Sequence, residues 1–223
     1  MDALSHRTTV DGDAARARIL DAAERLFAAR GYAGTTTRDI ARCAGIQKRM
    51  VFYYFPRKDA LYGAVLERIV AALVSIHEQF REQPAPVGLA DAVEGIVAFT
   101  AGNLDAVKLL LREIIDDGPH LPALARTQLG PLFARGAAEV ERNVARGAFH
   151  PTEPMHALVG VGGLTLMYFL MAPLLRRIWD RDPLAPEALA AQAASACALL
   201  LHGLVSPATA EGEGEWSKGA SVS

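Results

Sequence analysis

Basic side chains are concentrated in one short stretch, between residues 38 and 58. This stretch contains one acidic residue, Asp39, and six basic residues: Arg38, Arg42, Lys48, Arg49, Arg57 and Lys58. Residues 1–68 carry 12 Lys and Arg against 8 Asp and Glu, a net charge of +4, whereas the rest carries 11 against 17, a net charge of −6. A basic segment on an acidic body predicts a polyanion as the partner of that segment. On charge alone, a merely solvated surface is an equal alternative.

Two short helices are predicted to position these cations. The first covers Arg38–Cys43 after a run of threonines, which is typical of a helix N-cap. The second covers Gln47–Tyr54 and ends before Pro56, because proline disfavours a helical residue before it. Gly45 lies between them and permits a left-handed turn. Two short helices joined in this way, with basic residues on the second, form a helix-turn-helix whose second helix lies in a major groove.

The remainder of the chain predicts an all-α fold. Hydrophobic residues make up 51% and charged residues 22% of the sequence, which is typical of a folded globular chain. Apolar periodicity and Gly or Pro breaks predict further helices over Ala14–Arg30, Lys58–Gln83, Leu89–Gly102, Leu104–Asp116, Leu121–Arg146, Glu153–Trp179 and Pro186–Leu204. Residues 1–13 and 206–223 are predicted to be flexible tails.

Catalytic and metal-binding patterns are missing from the sequence. The two cysteines, Cys43 and Cys197, lack a CxxC context, so no disulfide or metal site is expected and a reducing cytoplasm fits. We interpret Cys43 as a small buried residue. The histidines lack metal-ligand spacing, and no phosphate loop or nucleophile elbow is present. Glu113 and the two aspartates at 116 and 117 are interpreted as a solvated helix end. The chain is therefore not expected to be an enzyme or to hold a cofactor.

One uncharged stretch, Ala157–Leu175, approaches the length of a membrane-spanning helix. Glycines at positions 160, 162 and 163 and a proline at 173 argue against a span. A helix that is apolar all round is otherwise a buried one. We therefore expect a buried helix and no membrane partner.

Three motifs lie between residues 14 and 67. They are A-x-x-L-F-x-x-x-G-Y in the first helix, T-T-x-x-D-I-A-x-x-A-G at the second, and F-Y-Y-F-P-x-K-D-A-L at the exit from the third. On these motifs the segment resembles the DNA-binding domain of the tetracycline-repressor (TetR) family. The resemblance implies a three-helix helix-turn-helix domain at 14–60, followed by a helical ligand-binding and dimerisation domain at 61–205.

The resemblance also implies roles for individual residues. Phosphate contacts fall to Thr37, Lys48, Tyr53 and Lys58, and base contacts to Gln47, Arg49 and Met50. Arginine pairs with guanine, glutamine with adenine, and a methionine side chain packs on a thymine methyl group. Arg49 as a phosphate contact is an equal alternative. Phe52 and Phe55 are expected to lie in the core.

For the second domain the resemblance implies an effector cavity and a dimer interface. The candidate lining residues are Phe99, Asn103, Leu110, Glu113, Leu132, Tyr168 and Met171, although each also fits as plain core. Their composition favours a small apolar or aromatic effector. The dimer is expected through residues 153–179 and 186–204. Small glycines there permit close helix approach, and the apolar interface is expected from Leu164, Leu174, Leu189, Leu199 and Leu200.

Together these features predict a cytoplasmic, ligand-responsive transcriptional repressor. It is expected to bind a palindromic operator as a homodimer and to be released by its effector. The alternative is a helical protein-binding module with no role on DNA. The salt dependence of binding separates the two, because DNA affinity falls steeply with salt and an apolar protein contact does not.

Overall fold

The structure is a computed structural model that describes residues 3–80 and 83–205. In chain order its helices are α1 (Ala3–Arg30), α2 (Thr37–Cys43), α3 (Lys48–Tyr54), α4 (Lys58–Phe80), α5 (Ala85–Gly102), α6 (Leu104–Ile115), α7 (Leu121–Leu124), α8 (Gly130–Ala145), α9 (Pro154–Ile178) and α10 (Pro186–Leu204). Within the described ranges the β-structure is one isolated antiparallel bridge between Phe149 and Val205. The predicted all-α fold is confirmed.

The start of α1 differs from its prediction. The helix begins at Ala3 and not at Ala14, so residues 3–13, expected as a loose tail, are helical. No proline interrupts this stretch, and a single glycine such as Gly12 weakens a helix by only about 1 kcal/mol. The predicted tail at 206–223 lies outside the described residues.

The helix predicted over Leu121–Arg146 is interrupted. Ala125–Leu129 forms a π-helical turn between α7 and α8. Pro131, in the first turn of α8, has no backbone N–H and cannot continue the α-helical hydrogen bonding from the preceding residues. The hydroxyl of Thr127 donates instead to the carbonyl of Ala123 at 2.9 Å. Periodicity alone gave no sign of this interruption.

The chain divides into two compact units. The first contains the residues up to Ala72 together with Asn103–Gln128, and the second contains Leu73–Gly102 and the residues from Leu129 onward. Within the first unit α1 packs on α2 and α6, and within the second α10 packs on α5 and α9. This division differs from the predicted domain boundary between residues 60 and 61, because α6 joins the N-terminal helices.

The first unit is built around apolar side chains that four helices bury completely. Their exposed fraction is zero for Ile19 and Phe27 of α1, Ile40 of α2, Val51 of α3 and Leu61 of α4. Each side chain of this size stabilises the fold by roughly 1.5–3 kcal/mol through burial. The core therefore fixes α2 and α3 against α1 and α4.

Three helices of the described chain are long and apolar enough to cross a membrane, judged by length and composition. They span Lys58–Gln79, Pro154–Ile178 and Pro186–Leu204, and the bent pair formed by Val87–Gly102 and Leu104–Ile115 would make a fourth. Of the three, the helix from Pro154 to Ile178 is the least buried within the chain. The expectation of a buried helix here is wrong for the single chain, because one side of the helix exposes apolar side chains.

Candidate nucleic-acid interface

The turn between α2 and α3 depends on a glycine in the left-handed region. Gly45 has a φ of 66°. Residues other than glycine rarely adopt this backbone conformation, because they carry a Cβ. The backbone N–H of Ile46 then donates to the carbonyl of Ala41 at 3.0 Å. The predicted turn is confirmed, and it brings the start of α3 close to the end of α2.

The side chain of Thr36 caps the N-terminus of α2. The hydroxyl of Thr36 accepts from the backbone N–H of Asp39 at 3.2 Å and donates to its carboxylate at 2.6 Å. This hydrogen bond, followed by the nearby Arg42 guanidinium, lowers the pKa of Asp39. Thr37 is consequently the first helical residue, and its N–H belongs to the end of the helix where such groups have no intrahelical acceptor. That is where the resemblance implies a phosphate contact.

One side of α3 faces away from the core. Val51 is fully buried, and helix geometry places Arg49 and Tyr53 on the opposite side of the helix axis. Arg49 is exposed, and 76% of the Tyr53 surface is accessible. Arg49 makes no ion pair with any residue in the described part of the chain. The guanidinium of Arg49 and the phenol of Tyr53 therefore form the centre of the outward face of α3.

The flanks of this face carry the other predicted contacts. Lys48 is exposed, and its ammonium lies 5.3 Å from the centre of the Phe52 ring. Gln47 is the exposed N-cap residue of α3, but its side chain makes no capping hydrogen bond. Met50 is half-buried. The structure thus exposes Gln47, Lys48, Arg49 and Tyr53 at α3 and leaves Met50 half-buried.

Lys58 is engaged within the protein. Its ammonium donates to the carbonyls of Tyr32 at 2.8 Å and of Thr35 at 3.1 Å, and it lies 4.0 Å from the centre of the Tyr32 ring. A lysine has three N–H donors, so two of them are committed to the turn that follows α1. Through these two hydrogen bonds Lys58 connects the turn to the start of α4. The contact of Lys58 with a phosphate remains a prediction.

Two residues of this region lie where the sequence analysis did not expect them. Phe55 is buried as predicted, but Phe52 is 41% exposed and is not core. Cys43, interpreted as buried, is exposed at the end of α2, with a guanidinium nitrogen of Arg25 3.8 Å from its sulfur. A helical wheel centred on Val51 would have predicted that Phe52 is exposed, because its side chain lies about 100° around the helix from the buried direction.

A buried carboxylate organises the turn after α6 in the first unit. Glu113, expected to be solvated, is only 5% exposed. Its carboxylate accepts from the backbone N–H of His120 at 2.8 Å and from the hydroxyl of Tyr62 at 3.3 Å. A Cβ on Gly118 would collide with this carboxylate. Burial, followed by the charge of Glu113, raises the pKa of Tyr62 to about 12, so the phenol keeps its proton for this hydrogen bond.

The same turn reaches the start of α4. The ring nitrogen Nε2 of His120 lies 3.0 Å from a carboxylate oxygen of Asp59. A Cβ on Gly63 would approach Nδ1 of His120 to 2.9 Å, closer than real contacts allow. Glu113 and His120 therefore connect the end of α6 to the first two turns of α4.

The seven residues predicted to line an effector cavity are distributed over both units. Asn103, Leu110 and Glu113 belong to the first unit, and Phe99, Leu132, Tyr168 and Met171 to the second. Leu110 is buried, and the hydroxyl of Tyr168 donates to the carbonyl of Pro183 at 2.8 Å. Met171 lies on the exposed surface of α9. A shared role in effector binding stays a prediction.

An apolar stripe runs along the exposed side of α9. Its members follow one another at intervals of three or four residues, with the exposed Gly163 in the middle: Met155, Val159, Met167, Met171, Leu174 and Ile178. Of the predicted interface leucines, Leu199 is also exposed, whereas Leu200 is buried in a cluster with Val93 and Ala196. Leu200 is therefore core, because α10 turns it toward α5.

Comparison with known families accounts for both parts of the chain. The family model described as "Bacterial regulatory proteins, tetR family" matches residues 19–65. The family model described as "Tetracyclin repressor-like, C-terminal domain" matches residues 86–200. The second match alone covers more than half of the sequence.

Individual relatives agree with these matches. The transcriptional regulator RutR of Escherichia coli K12 is 29% identical over 161 residues, which is 72% of this chain and 76% of RutR. A tetR-family regulator from Rhodococcus RHA1 shares the fold with a TM-score of 0.67 at 23% identity, over 84% of this chain and 95% of that one. AibR, solved with isovaleryl coenzyme A and operator DNA, has a TM-score of 0.67 at 16% identity, over 83% and 97% of the two chains. The chain belongs to the TetR family of helix-turn-helix transcriptional regulators.

Proposed function

We propose that this regulator is a ligand-responsive repressor that binds a palindromic operator as a homodimer in the cytoplasm. The observation that carries the proposal is the outward face of α3, where Arg49 and Tyr53 are exposed beside Lys48 and Gln47. A helix of this kind inserts into the major groove, where arginine and glutamine recognise base edges. The test is selection of a preferred sequence from a random duplex pool by the purified protein.

The alternative function, a protein-binding module with no role on DNA, makes a different prediction for the same face. Several phosphate contacts make affinity fall steeply with salt concentration, whereas an apolar protein contact changes little. The three aromatic and basic side chains that project most, Arg49, Tyr53 and Lys48, suit a polyanion better than an apolar surface. Failure to select any duplex, together with salt-insensitive binding to a protein partner, would favour the alternative.

The homodimer is proposed from the exposed apolar stripe on α9. Monomeric proteins rarely expose a continuous apolar patch of this kind. A second copy covers the stripe in a two-fold arrangement, in which the same surface is used by both copies. Two identical recognition helices then require two related half-sites, about 34 Å or a multiple of it apart. The same burial accounts for the apolar composition of α9 without a membrane.

The proposed response to an effector depends on α4. This helix is uninterrupted from Lys58 to Phe80, and it contributes residues to both compact units. Along one side it buries Leu61, Val65, Ile69 and Ile76. A ligand that displaces α4 would change the distance between the two helix-turn-helix domains of the homodimer. That AibR was solved with isovaleryl coenzyme A and operator DNA supports an effector and an operator for this fold.

The effector proposal predicts reciprocal coupling. A small apolar or aromatic compound that lowers operator affinity tenfold must itself bind tenfold more weakly to the operator complex, a coupling free energy of about 1.4 kcal/mol. Calorimetric titration of the compound with and without operator measures this directly. A compound that binds equally well in both titrations is not the effector.

Substitutions on α3 should separate phosphate contacts from base contacts. We expect Lys48→Ala to weaken binding to all duplexes alike and to reduce the slope of log affinity against log salt by about one unit. Arg49→Ala should instead relax the preference at one base position, at a cost of roughly 1–3 kcal/mol. Electrophoretic titration over a salt series measures the first effect, and selection from the random duplex pool by each variant measures the second.

The control for these variants is Arg142→Ala, which removes an exposed cation from α8 of the second unit. It should leave both the salt slope and the selected sequence unchanged. If Arg49→Ala changes the salt slope but not the selected sequence, Arg49 contacts a phosphate and the base-reading assignment is wrong.

A further inference from the structure

Phe52 is an apolar side chain on the outward part of a short helix. It is 41% exposed, whereas Val51 and Phe55 next to it are 0% and 5% exposed. More than half of the surface of Phe52 is thus covered by the protein, and the rest is open to solvent. Its exposed part lies on α3, the helix proposed to enter the major groove, where an apolar group of a base can cover it.

The ring of Phe52 is also positioned by a neighbour. The ammonium of Lys48, one turn earlier on the same side of α3, lies 5.3 Å from the ring centre. Such a cation is attracted to the negative face of an aromatic ring. Lys48 and Phe52 thus form a cation–π pair, and part of the Phe52 side chain remains exposed beside it.

The chemistry of the major groove restricts what this ring can contact. A phenyl group has no hydroxyl or amide, so it cannot hydrogen-bond to phosphates or base edges. The 5-methyl group of thymine is the apolar group that bases present in the major groove. Met50, the residue that the resemblance implied for a thymine, is half-buried on the other side of α3.

We infer that Phe52, and not Met50, contacts the 5-methyl group of a thymine in each operator half-site, with Lys48 on the phosphate backbone beside it. This inference rests on the proposed binding of an operator by α3. It assigns Phe52 as a specificity-determining residue that favours thymine over the other three bases at one position.

Replacement of thymine by deoxyuridine tests the contact because it removes only the methyl group. Each thymine of the selected operator is replaced in turn, and the affinity of the full-length protein is measured. For the unmodified protein we expect one position per half-site at which the replacement weakens binding about fourfold, the effect of losing one buried methyl group.

The variants identify the side chain responsible. Phe52→Ala and Phe52→Gln should bind the thymine operator more weakly and lose the sensitivity to deoxyuridine at that position. Phe52→Tyr, which retains the ring, and Met50→Ala should both keep it. Thermal unfolding of each variant confirms that α3 remains folded. Two Phe52 variants are used so that a folding defect in one does not decide the outcome.

Three results overturn the inference. The first is full affinity with deoxyuridine at every thymine, the second is full sensitivity retained by Phe52→Ala, and the third is sensitivity abolished by Met50→Ala. In each case an operator is still bound, so the proposed function stands and only the role of Phe52 fails. If no duplex is selected from the random pool, the proposed function fails and the inference falls with it.

Discussion

Replacing Gly163 by leucine should convert the protein into a monomer that has lost its operator affinity. Gly163 lies in the middle of the apolar stripe on α9, and a Cβ built there meets no atom of its own chain within 4 Å. The leucine is therefore tolerated by the monomer, in which replacement of a helical glycine also stabilises α9. In a two-fold dimer, both copies carry the new leucine at the place where their α9 helices approach each other. Overpacking of roughly 1–3 kcal/mol per copy weakens the dimer by about 2–6 kcal/mol.

Sedimentation velocity and operator titration on the same samples measure this effect. Met167→Glu should have the same result by placing a charge within the stripe. The matched control is Ala134→Leu, which adds a leucine to an exposed position of α8 outside the stripe. If Gly163→Leu and Met167→Glu both remain dimeric at micromolar concentration, the stripe on α9 is not the dimer interface.

Gly118→Ala should destabilise the first unit by about 2–4 kcal/mol. The new Cβ occupies the position of the Glu113 carboxylate, which must move away from Tyr62 and from the backbone N–H of His120. Each buried group that loses its hydrogen-bond partner costs roughly 1–3 kcal/mol. Urea denaturation followed by circular dichroism gives the free energy of unfolding.

A double-mutant cycle with Glu113→Ala establishes the cause. Glu113→Ala alone should destabilise the protein, but Gly118→Ala should cost much less in its presence because the collision is gone. Gly102→Ala is the matched control, since a Cβ at this exposed position of α5 meets nothing within 4 Å. Additive effects of the two substitutions would show that the carboxylate does not fill the space beside Gly118.

The sequence predicted the architecture well where local signals are strong. Pro186–Leu204 was obtained with both ends correct, because a proline in the first turn and a long apolar run define it. The turn around Gly45 was found because only glycine suits its backbone. The family resemblance assigned DNA contacts to Lys48, Arg49 and Tyr53, and the structure leaves these three side chains exposed.

Exposure of single residues was less predictable. A seven-residue helix such as α3 contains two turns, so hydrophobicity alone does not separate Phe52 from Phe55. The burial of Glu113 was not predicted because an acidic helix end is usually solvated, and its partner Tyr62 is distant along the chain. The packing of α1 on α6 could not be predicted either, because it is a long-range contact that periodicity does not encode.

The exposed thiol of Cys43 provides a means of observing the proposed switch directly. The other cysteine, Cys197, is buried, and burial raises the pKa of its thiol, so a maleimide reacts first at Cys43. A nitroxide attached there places one spin label at the end of α2 in each copy of the helix-turn-helix. Pulsed electron paramagnetic resonance then measures the distribution of distances between the two labels. The measurement is made on the free protein, on the operator complex and on the protein with effector.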